Sequence, residues 1–277
     1  MLSEKTLAFI GAGNIGRALI GGLLRRELIP AERIRATRRN PYAVDELREQ
    51  FPGVHFGVDN AEAVAGADLI VISVKPQNAP AVFNEIQPHV PESAVVVSIL
   101  AGVTTTSVAT ALDQDLAVIR AMPNTPALVD EGATAVAPGR FASDADLDDA
   151  RELFGAVGKV ETVPEYLMDA VTGLSGSGPA YVYMVIEALT DGGVKQGLTR
   201  STALRLAAQT VFGAAKLVLE TGKHPAILRD EVTTPGGTSI AAVAELESHG
   251  LRTMLINAVA TATERSQELS RMKRDDR

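Results

Sequence analysis

The sequence predicts an α/β fold in which a doubly wound, mostly parallel sheet is followed by an all-helical half. Two observations carry this expectation. Up to residue 163, short β-branched runs alternate with helical patterns, the order that builds a parallel sheet with helices on both faces. From Pro164 onward the β-runs stop and long helical patterns take over. The predicted domains are therefore 1–163 and 164–277.

The strands are expected at Leu7–Ile10, Ile34–Ala36, Leu69–Ser73, Val95–Ile99 and Leu116–Arg120, with weaker candidates at Thr134–Ala137 and Lys159–Val163. Helical stretches such as Asn14–Glu27 and Tyr42–Glu49 separate them. Continuous apolar runs such as Leu69-Ile70-Val71-Ile72 and Ala94-Val95-Val96-Val97 fit strands buried on both faces. The longest uncharged stretch, Ser93–Leu112, could span a bilayer by length, but seven of its residues are Ser or Thr. It reads as a strand, a turn at Gly102 and a helix start.

Composition narrows the function. The net charge of -8 argues against a nucleic-acid partner, which would need clustered Lys and Arg. The absence of cysteine excludes disulfides, thiolate metal sites and Cys nucleophiles. His55, His89, His224 and His249 are scattered without metal-ligand spacing, so no metal is expected. With few side chains suited to acid/base work, the difficult chemistry is assigned to a cofactor. The first residues lead directly into Thr6–Ile10 without an evident signal peptide, and a soluble, cytoplasmic protein is expected.

In the second half, helices are expected to break at Gly176–Pro179, Gly192–Gly193, Gly222 and Pro235–Gly237. Within Thr199–Thr221 the polar residues Arg205, Gln209, Lys216 and Glu220 line one narrow stripe, and the rest of the circumference is largely apolar. Such a helix needs cover on several sides. Neighbouring subunits are the favoured cover, with a compact single-chain bundle as the alternative. Only Arg271–Arg277 look frayed.

Gly11-Ala12-Gly13-Asn14-Ile15-Gly16 follows the first strand and opens the first helix, the context a dinucleotide-binding, Rossmann-like fingerprint requires. Gly11 permits the turn, Gly13 admits a pyrophosphate and Gly16 allows close helix–strand packing. The helix N-terminus supplies N–H donors for the anion. A glycine turn without a ligand is the alternative. Where a site for NAD usually carries an acid, the second strand ends in Ala36-Thr37-Arg38-Arg39-Asn40. Thr37, Arg38 and Arg39 suit a 2′-phosphate, so NADPH is expected to be preferred, with NADH possible as a weaker substitute. A solvated charge cluster would leave the missing acid unexplained.

Three further segments fall at carboxyl ends of strands, where open parallel sheets bind ligands. They are Val74-Lys75-Pro76-Gln77, Ala101-Gly102-Val103 and Met122-Pro123-Asn124-Thr125-Pro126, whose prolines could fix a nicotinamide ring. Asn60 completes the candidate cofactor set. In the helical half, Val232-Thr233-Thr234-Pro235-Gly236-Gly237-Thr238-Ser239-Ile240 leads into a helical pattern at Ile240–Glu247, a helix start suited to a carboxylate or phosphate. Thr238 or Ser239 could equally be a simple N-cap.

Read together, Gly11–Gly16, Val74–Gln77, Arg120–Pro126, Met168–Ala180 and Val232–Ile240 closely resemble pyrroline-5-carboxylate reductase, over nearly the whole chain to about Leu269. The resemblance implies an NAD(P)-binding N-terminal domain and a helical C-terminal domain for dimerisation and substrate binding. It also implies assembly into dimers and further into rings such as decamers. The implied reaction reduces 1-pyrroline-5-carboxylate to L-proline, the last step of proline biosynthesis. The implied substrate set is Met122, Val232, Thr234, Pro235, Gly236, Gly237, Thr238 and Ser239, in a cleft between one subunit's cofactor and its partner's helices. The Pro235–Ser239 loop would hold the substrate carboxylate, and Ser239 or Thr238 would stand at the ring nitrogen as the catalytic hydroxyl. Family members often carry Thr where this chain has Ser239, which keeps the hydroxyl but loses the methyl that restricts its rotamer.

Two other readings remain open to the sequence. A two-domain hydroxyacid dehydrogenase would need a Lys or His acid/base in the helical half. Lys195, Lys216 and Lys223 exist, but none lies in a recognisable motif. A non-catalytic NADP(H) sensor would not need the hydroxyl-rich second loop.

Overall fold

The computed structural model describes residues 2–275, with side chains to Ser270. The chain begins with β1 (Leu7–Ile10), α1 (Asn14–Arg25), β2 (Ile34–Thr37), α2 (Pro41–Gln50), β3 (His55–Gly57) and α3 (Asn60–Val64). Next come β4 (Leu69–Ile72), α4 (Ala79–Ile86), β5 (Val95–Ser98), α5 (Thr105–Leu112) and β6 (Ala117–Met122). The sheet closes with β7 (Gly132–Pro138), α6 (Asp144–Gly155) and β8 (Gly158–Thr162). The helical part comprises α7 (Met168–Val171), a π-helical turn at Thr172–Gly176, α8 (Gly178–Lys195), α9 (Arg200–Thr221), α10 (Pro225–Glu231), α11 (Thr238–Ser248) and α12 (Leu251–Asp275).

One sheet holds all eight strands in the order β3-β2-β1-β4-β5-β6-β7-β8. Strands β1 to β6 are parallel, β7 runs antiparallel to β6, and β8 is parallel to β7. Alternate strand residues serve opposite layers. Leu7, Phe9, Leu69, Val71, Val95 and Val97 pack with Leu19 and Leu23 of α1 and Leu153 and Phe154 of α6. Ala8, Ile10, Ile70, Ile72 and Val96 pack with Phe83 and Ile86 of α4 and Val108 and Leu112 of α5. Full burial on both faces is why these strands read as unbroken apolar runs. The order reverses between β1 and β4, which puts the glycine fingerprint at the sheet's switch point.

The doubly wound expectation holds, with local differences. β3, at the sheet edge, has only His55-Phe56-Gly57, too short for a pattern. β6 runs two residues past the expected Arg120, because its end pairs with β7, Met122 opposite Ala135. Ser93–Leu112 does form β5, a turn at Gly102 and α5.

By packing, the chain divides into two units, residues 1–177 with 261–277, and residues 178–260. The sequence reading put the junction after residue 163. Residues 164–177 instead lie against the sheet, with Met168 buried among Ala135 and Ala137. Polar contacts reinforce this. The buried Arg120 guanidinium lies 4.0 Å from Glu165 and 3.9 Å from Asp169. Glu165 accepts hydrogen bonds from the Thr105 amide at 2.7 Å and its hydroxyl at 2.8 Å, and Ser266 donates to Asp169 at 2.7 Å. Burial pushes Arg120 below its ordinary pKa, opposed by the charges of Asp169 and Glu165.

In the second unit, the expected break at Gly192–Gly193 is absent. α8 continues to Lys195, and a Cβ on Gly193 would stand 3.0 Å from that of Ala203, so the glycine serves close approach of α9. α9 is capped by the Thr199 side chain and ends at Gly222 in the left-handed region, as expected. Among the described residues of this unit only Thr190, Ala203 and Ala207 are buried, while Leu206, Phe212 and Leu219 of α9 are exposed. A single-chain bundle with its own apolar core is therefore not what these helices build. The expected frayed end, 271–277, is described only as backbone, helical to Asp275, and its last two residues lie outside the described chain.

Candidate nicotinamide and substrate sites

The chain leaves β1 through Gly11, whose φ of +100° suits glycine. A Cβ there would also stand 2.9 Å from Val74 Cγ1 and 3.0 Å from the Ser73 carbonyl oxygen. A Cβ on Gly16 would stand 2.9 Å from the Gly11 carbonyl oxygen. Both glycines thus answer to packing as the fingerprint requires. Ala12 and the extended Gly13 lead into α1, and among the described residues no side chain caps this helix. The first-turn amides of Asn14, Ile15 and Gly16 remain for an anion.

Thr37 does something other than its expected work. It is buried; its hydroxyl accepts the Gly11 amide at 3.2 Å and donates to Asn60 Oδ1 at 2.7 Å. A hydroxyl has one proton, so none is left for a phosphate oxygen. Asn60 is held in turn by Glu85, which accepts from its side chain at 2.8 Å and its amide at 3.2 Å. Both residues brace the Gly11 turn. Arg38 is exposed, and its Nη1 donates to the Ala12 carbonyl at 3.0 Å, which lays the guanidinium beside the glycine turn. Arg39 is exposed next to it. The sequence reading missed Glu85, as well as Ser73, whose hydroxyl donates to the Gly11 carbonyl at 2.5 Å. Ser73 could have been suspected from its place at the end of the third expected strand.

The other carboxyl-end segments differ in exposure. Val74 packs against Gly11, Lys75 is exposed and Pro76 half-buried. Gly102 is buried, and a Cβ on it would stand 3.0 Å from the Ser270 hydroxyl, so this glycine seats the end of α12 beside Ala101. Met122 is half-buried at the end of β6. Pro123 follows, and then Asn124, whose Oδ1 accepts the Ala133 amide at 2.9 Å.

In the second unit, Val232 ends α10, and Thr234, Pro235 and Gly236 form an exposed turn in which the Thr234 carbonyl accepts the Gly237 amide at 2.9 Å. Gly237 is the N-cap of α11. Thr238 and Ser239 are its first two helical residues, so neither is the N-cap, which corrects that alternative. No side-chain cap hydrogen bond closes the start of α11. Thr238 is exposed and Ser239 half-buried. Lys216 and Lys223 form exposed ion pairs with Glu220 and Glu231. Among the described residues no group of three His, Asp or Glu side chains could hold a metal ion.

Known proteins align with both halves. Residues 165–269 match the model of pyrroline-5-carboxylate reductase dimerisation, and residues 6–102 match that of NADP oxidoreductase, coenzyme F420-dependent. The chain is 44% identical over 270 residues to a pyrroline-5-carboxylate reductase of Methanosarcina acetivorans, covering 98% of this chain and 100% of that one. It is 42% identical to that of Escherichia coli, covering 97% and 99%. Among solved structures, a pyrroline-5-carboxylate reductase of Coxiella burnetii superposes with a TM-score of 0.90 at 36% identity, covering 96% of this chain and 98% of that one. A Plasmodium falciparum pyrroline carboxylate reductase with NADP bound gives 0.85 at 29%, covering 97% and 99%.

Proposed function

This chain belongs to the pyrroline-5-carboxylate reductase family, and on that premise we propose how its residues divide the reduction of 1-pyrroline-5-carboxylate to L-proline. It is an NAD(P)H-dependent oxidoreductase acting on a C=N bond. One observation carries the division of labour: two helices open behind glycines with no side-chain cap, α1 after Gly13 and α11 after Gly237. The first suits a pyrophosphate and the second a carboxylate.

Residues 1–163 take the nicotinamide cofactor and residues 164–277 the substrate and self-association. The cofactor, when bound, supplies the hydride. Gly11–Gly16 receive its pyrophosphate, and Arg38 with Arg39 grips a 2′-phosphate, which favours NADPH over NADH. Val74–Pro76, Ala101–Gly102 and Met122–Pro123 border the nicotinamide end, with Asn124 supporting the last of these from Ser175. Thr37 and Asn60 support this cradle through the Gly11 turn rather than as direct ligands.

The Gly236, Thr238 and Ser239 amides of the Pro235–Ser239 loop anchor the substrate carboxylate, and Val232 with Met122 walls the ring. The hydroxyl of Ser239, or of Thr238, meets the ring nitrogen. A protonated iminium carbon is already electrophilic, so the protein's task is alignment at roughly 3–3.5 Å and exclusion of water. This reading uses neither a metal nor a covalent intermediate.

The exposed apolar face of α9 lies within the dimerisation match and is assigned to the self-interface. Among the described residues α9 is the one helix long and apolar enough to cross a membrane, but the reading keeps the enzyme in the cytoplasm. The partner chain's α11 loop completes each site, and dimers assemble further into a ring. Oxidation of NADPH and NADH is followed in parallel with 1-pyrroline-5-carboxylate. The reading expects stoichiometric proline and faster turnover with NADPH; cofactor binding without oxidation would overturn it.

A further inference from the structure

The glycine-rich segment Thr172–Ala180 forms a π-helical turn at Thr172–Gly176 and then enters α8. Such turns insert a residue and disturb the ladder of backbone hydrogen bonds, often at functional positions. The cause here is local. In an α-helix the Ser175 carbonyl would accept from the residue four further on, but that residue is Pro179, which has no N–H. The Asn124 side chain fills this role, with Nδ2 donating to the Ser175 carbonyl at 3.1 Å. Its Oδ1 meanwhile accepts the Ala133 amide at 2.9 Å. The two bonds fix the orientation of the amide, because one neighbour only accepts and the other only donates.

A second contact joins the same two segments. A Cβ on Gly176 would stand 2.9 Å from Met122 Cε, so the methionine's end occupies the space of the missing side chain. Met122 and Asn124 flank Pro123, and both ends of this three-residue loop rest on Ser175–Gly176.

We propose that Asn124 is a positioning residue for hydride transfer, holding Met122 and Pro123 against the nicotinamide site by donating to the Ser175 carbonyl that Pro179 leaves without its helical donor. The inference rests on the reading that this loop borders the nicotinamide. It gives Asn124 no direct contact with the cofactor. Its loss therefore disturbs ring alignment, while affinity, set mainly by the pyrophosphate and 2′-phosphate, is retained.

The test uses full-length wild type, Asn124→Asp and Gly176→Ala. The first variant keeps an acceptor for Ala133 and turns an oxygen toward the Ser175 carbonyl. The second displaces only the flexible end of Met122, so it reports on the loop should Asn124→Asp fold poorly. Cofactor Kd is measured by fluorescence titration, and kcat with NADPH carrying hydrogen or deuterium at the transferring position. The expected result is a tenfold or greater fall in kcat for Asn124→Asp and a several-fold fall for Gly176→Ala. Kd should stay within twofold, and the isotope effect on kcat should rise. Unchanged kcat in the folded variants overturns the proposal. So does a parallel weakening of Kd, which would make Asn124 a cofactor ligand, or a lower kcat with no larger isotope effect. A wild type that binds NADPH but does not reduce 1-pyrroline-5-carboxylate defeats the underlying functional reading instead.

Discussion

The Thr37 hydroxyl accepts the amide proton of Gly11 at 3.2 Å, so the end of β2 holds the turn that leaves β1. Thr37→Val keeps the shape but leaves the Gly11 amide and Asn60 Oδ1 without this partner. An unsatisfied buried group costs about 1–3 kcal/mol. The variant should lose stability of that order in urea and bind NADPH and NADH more weakly by a similar factor, whereas Thr37→Ser should retain both. Selective loss of NADPH affinity would return Thr37 to the role of phosphate ligand.

Arg38 should behave in the opposite way. A hydrogen bond to a charged group contributes about 1.5–3 kcal/mol, so Arg38→Ala should weaken NADPH binding by roughly tenfold to a hundredfold. NADH affinity should stay within twofold, as read by titrating both cofactors. Equal losses would show that the guanidinium does not distinguish the ribose phosphate.

Arg120 is a stability residue. Removing one partner from a buried charge cluster costs about 3–5 kcal/mol, because the remaining charges stay desolvated. Arg120→Met should lower the unfolding free energy by about 3 kcal/mol in urea, and adding Asp169→Asn should recover part of it. A loss below about 1 kcal/mol would mean that water already screens Glu165 and Asp169.

For the reaction itself, Ser239→Ala should reduce kcat by about a hundredfold if its hydroxyl takes part in proton transfer. Thr238→Ala, which alters a more exposed position, should have the smaller effect. Two variants with wild-type kcat would leave the amides of α11 as the working part of the loop.

On α9, Leu206→Glu places a charge on an exposed apolar face. The expected result in sedimentation is a shift toward monomer with helix content preserved by circular dichroism. An unchanged assembly would put the self-interface on other helices.

What could be read in advance depended on how local the determining physics is. β1, β4 and β5 declared themselves because two-sided burial makes each an apolar run. The glycine fingerprint was equally legible, since its spacing is set by one turn. The reversed direction of β7 was not, because apolar patterning carries no strand direction. Gly192 and Gly193 looked like a break, yet Gly193 serves the approach of Ala203, a partner the local sequence does not reveal. The bonds of the Thr37 hydroxyl were not legible either, because its partners Gly11 and Asn60 are distant along the chain. Thr238 and Ser239 could not be separated from a cap until Gly237 was seen to occupy that position.

The return of the chain to the sheet unit at Thr261 sets an order of completion during synthesis. All eight strands are synthesised before α8, yet Ser266, the partner of Asp169, and Ser270, the neighbour of Gly102, are made only after the whole helical segment. The last contacts of the sheet unit therefore form only after the helical segment has been translated. A message cut short in that interval yields a polypeptide with the full glycine fingerprint but without Ser266 and Ser270, so the sheet unit lacks the contacts they make to Asp169 and Gly102.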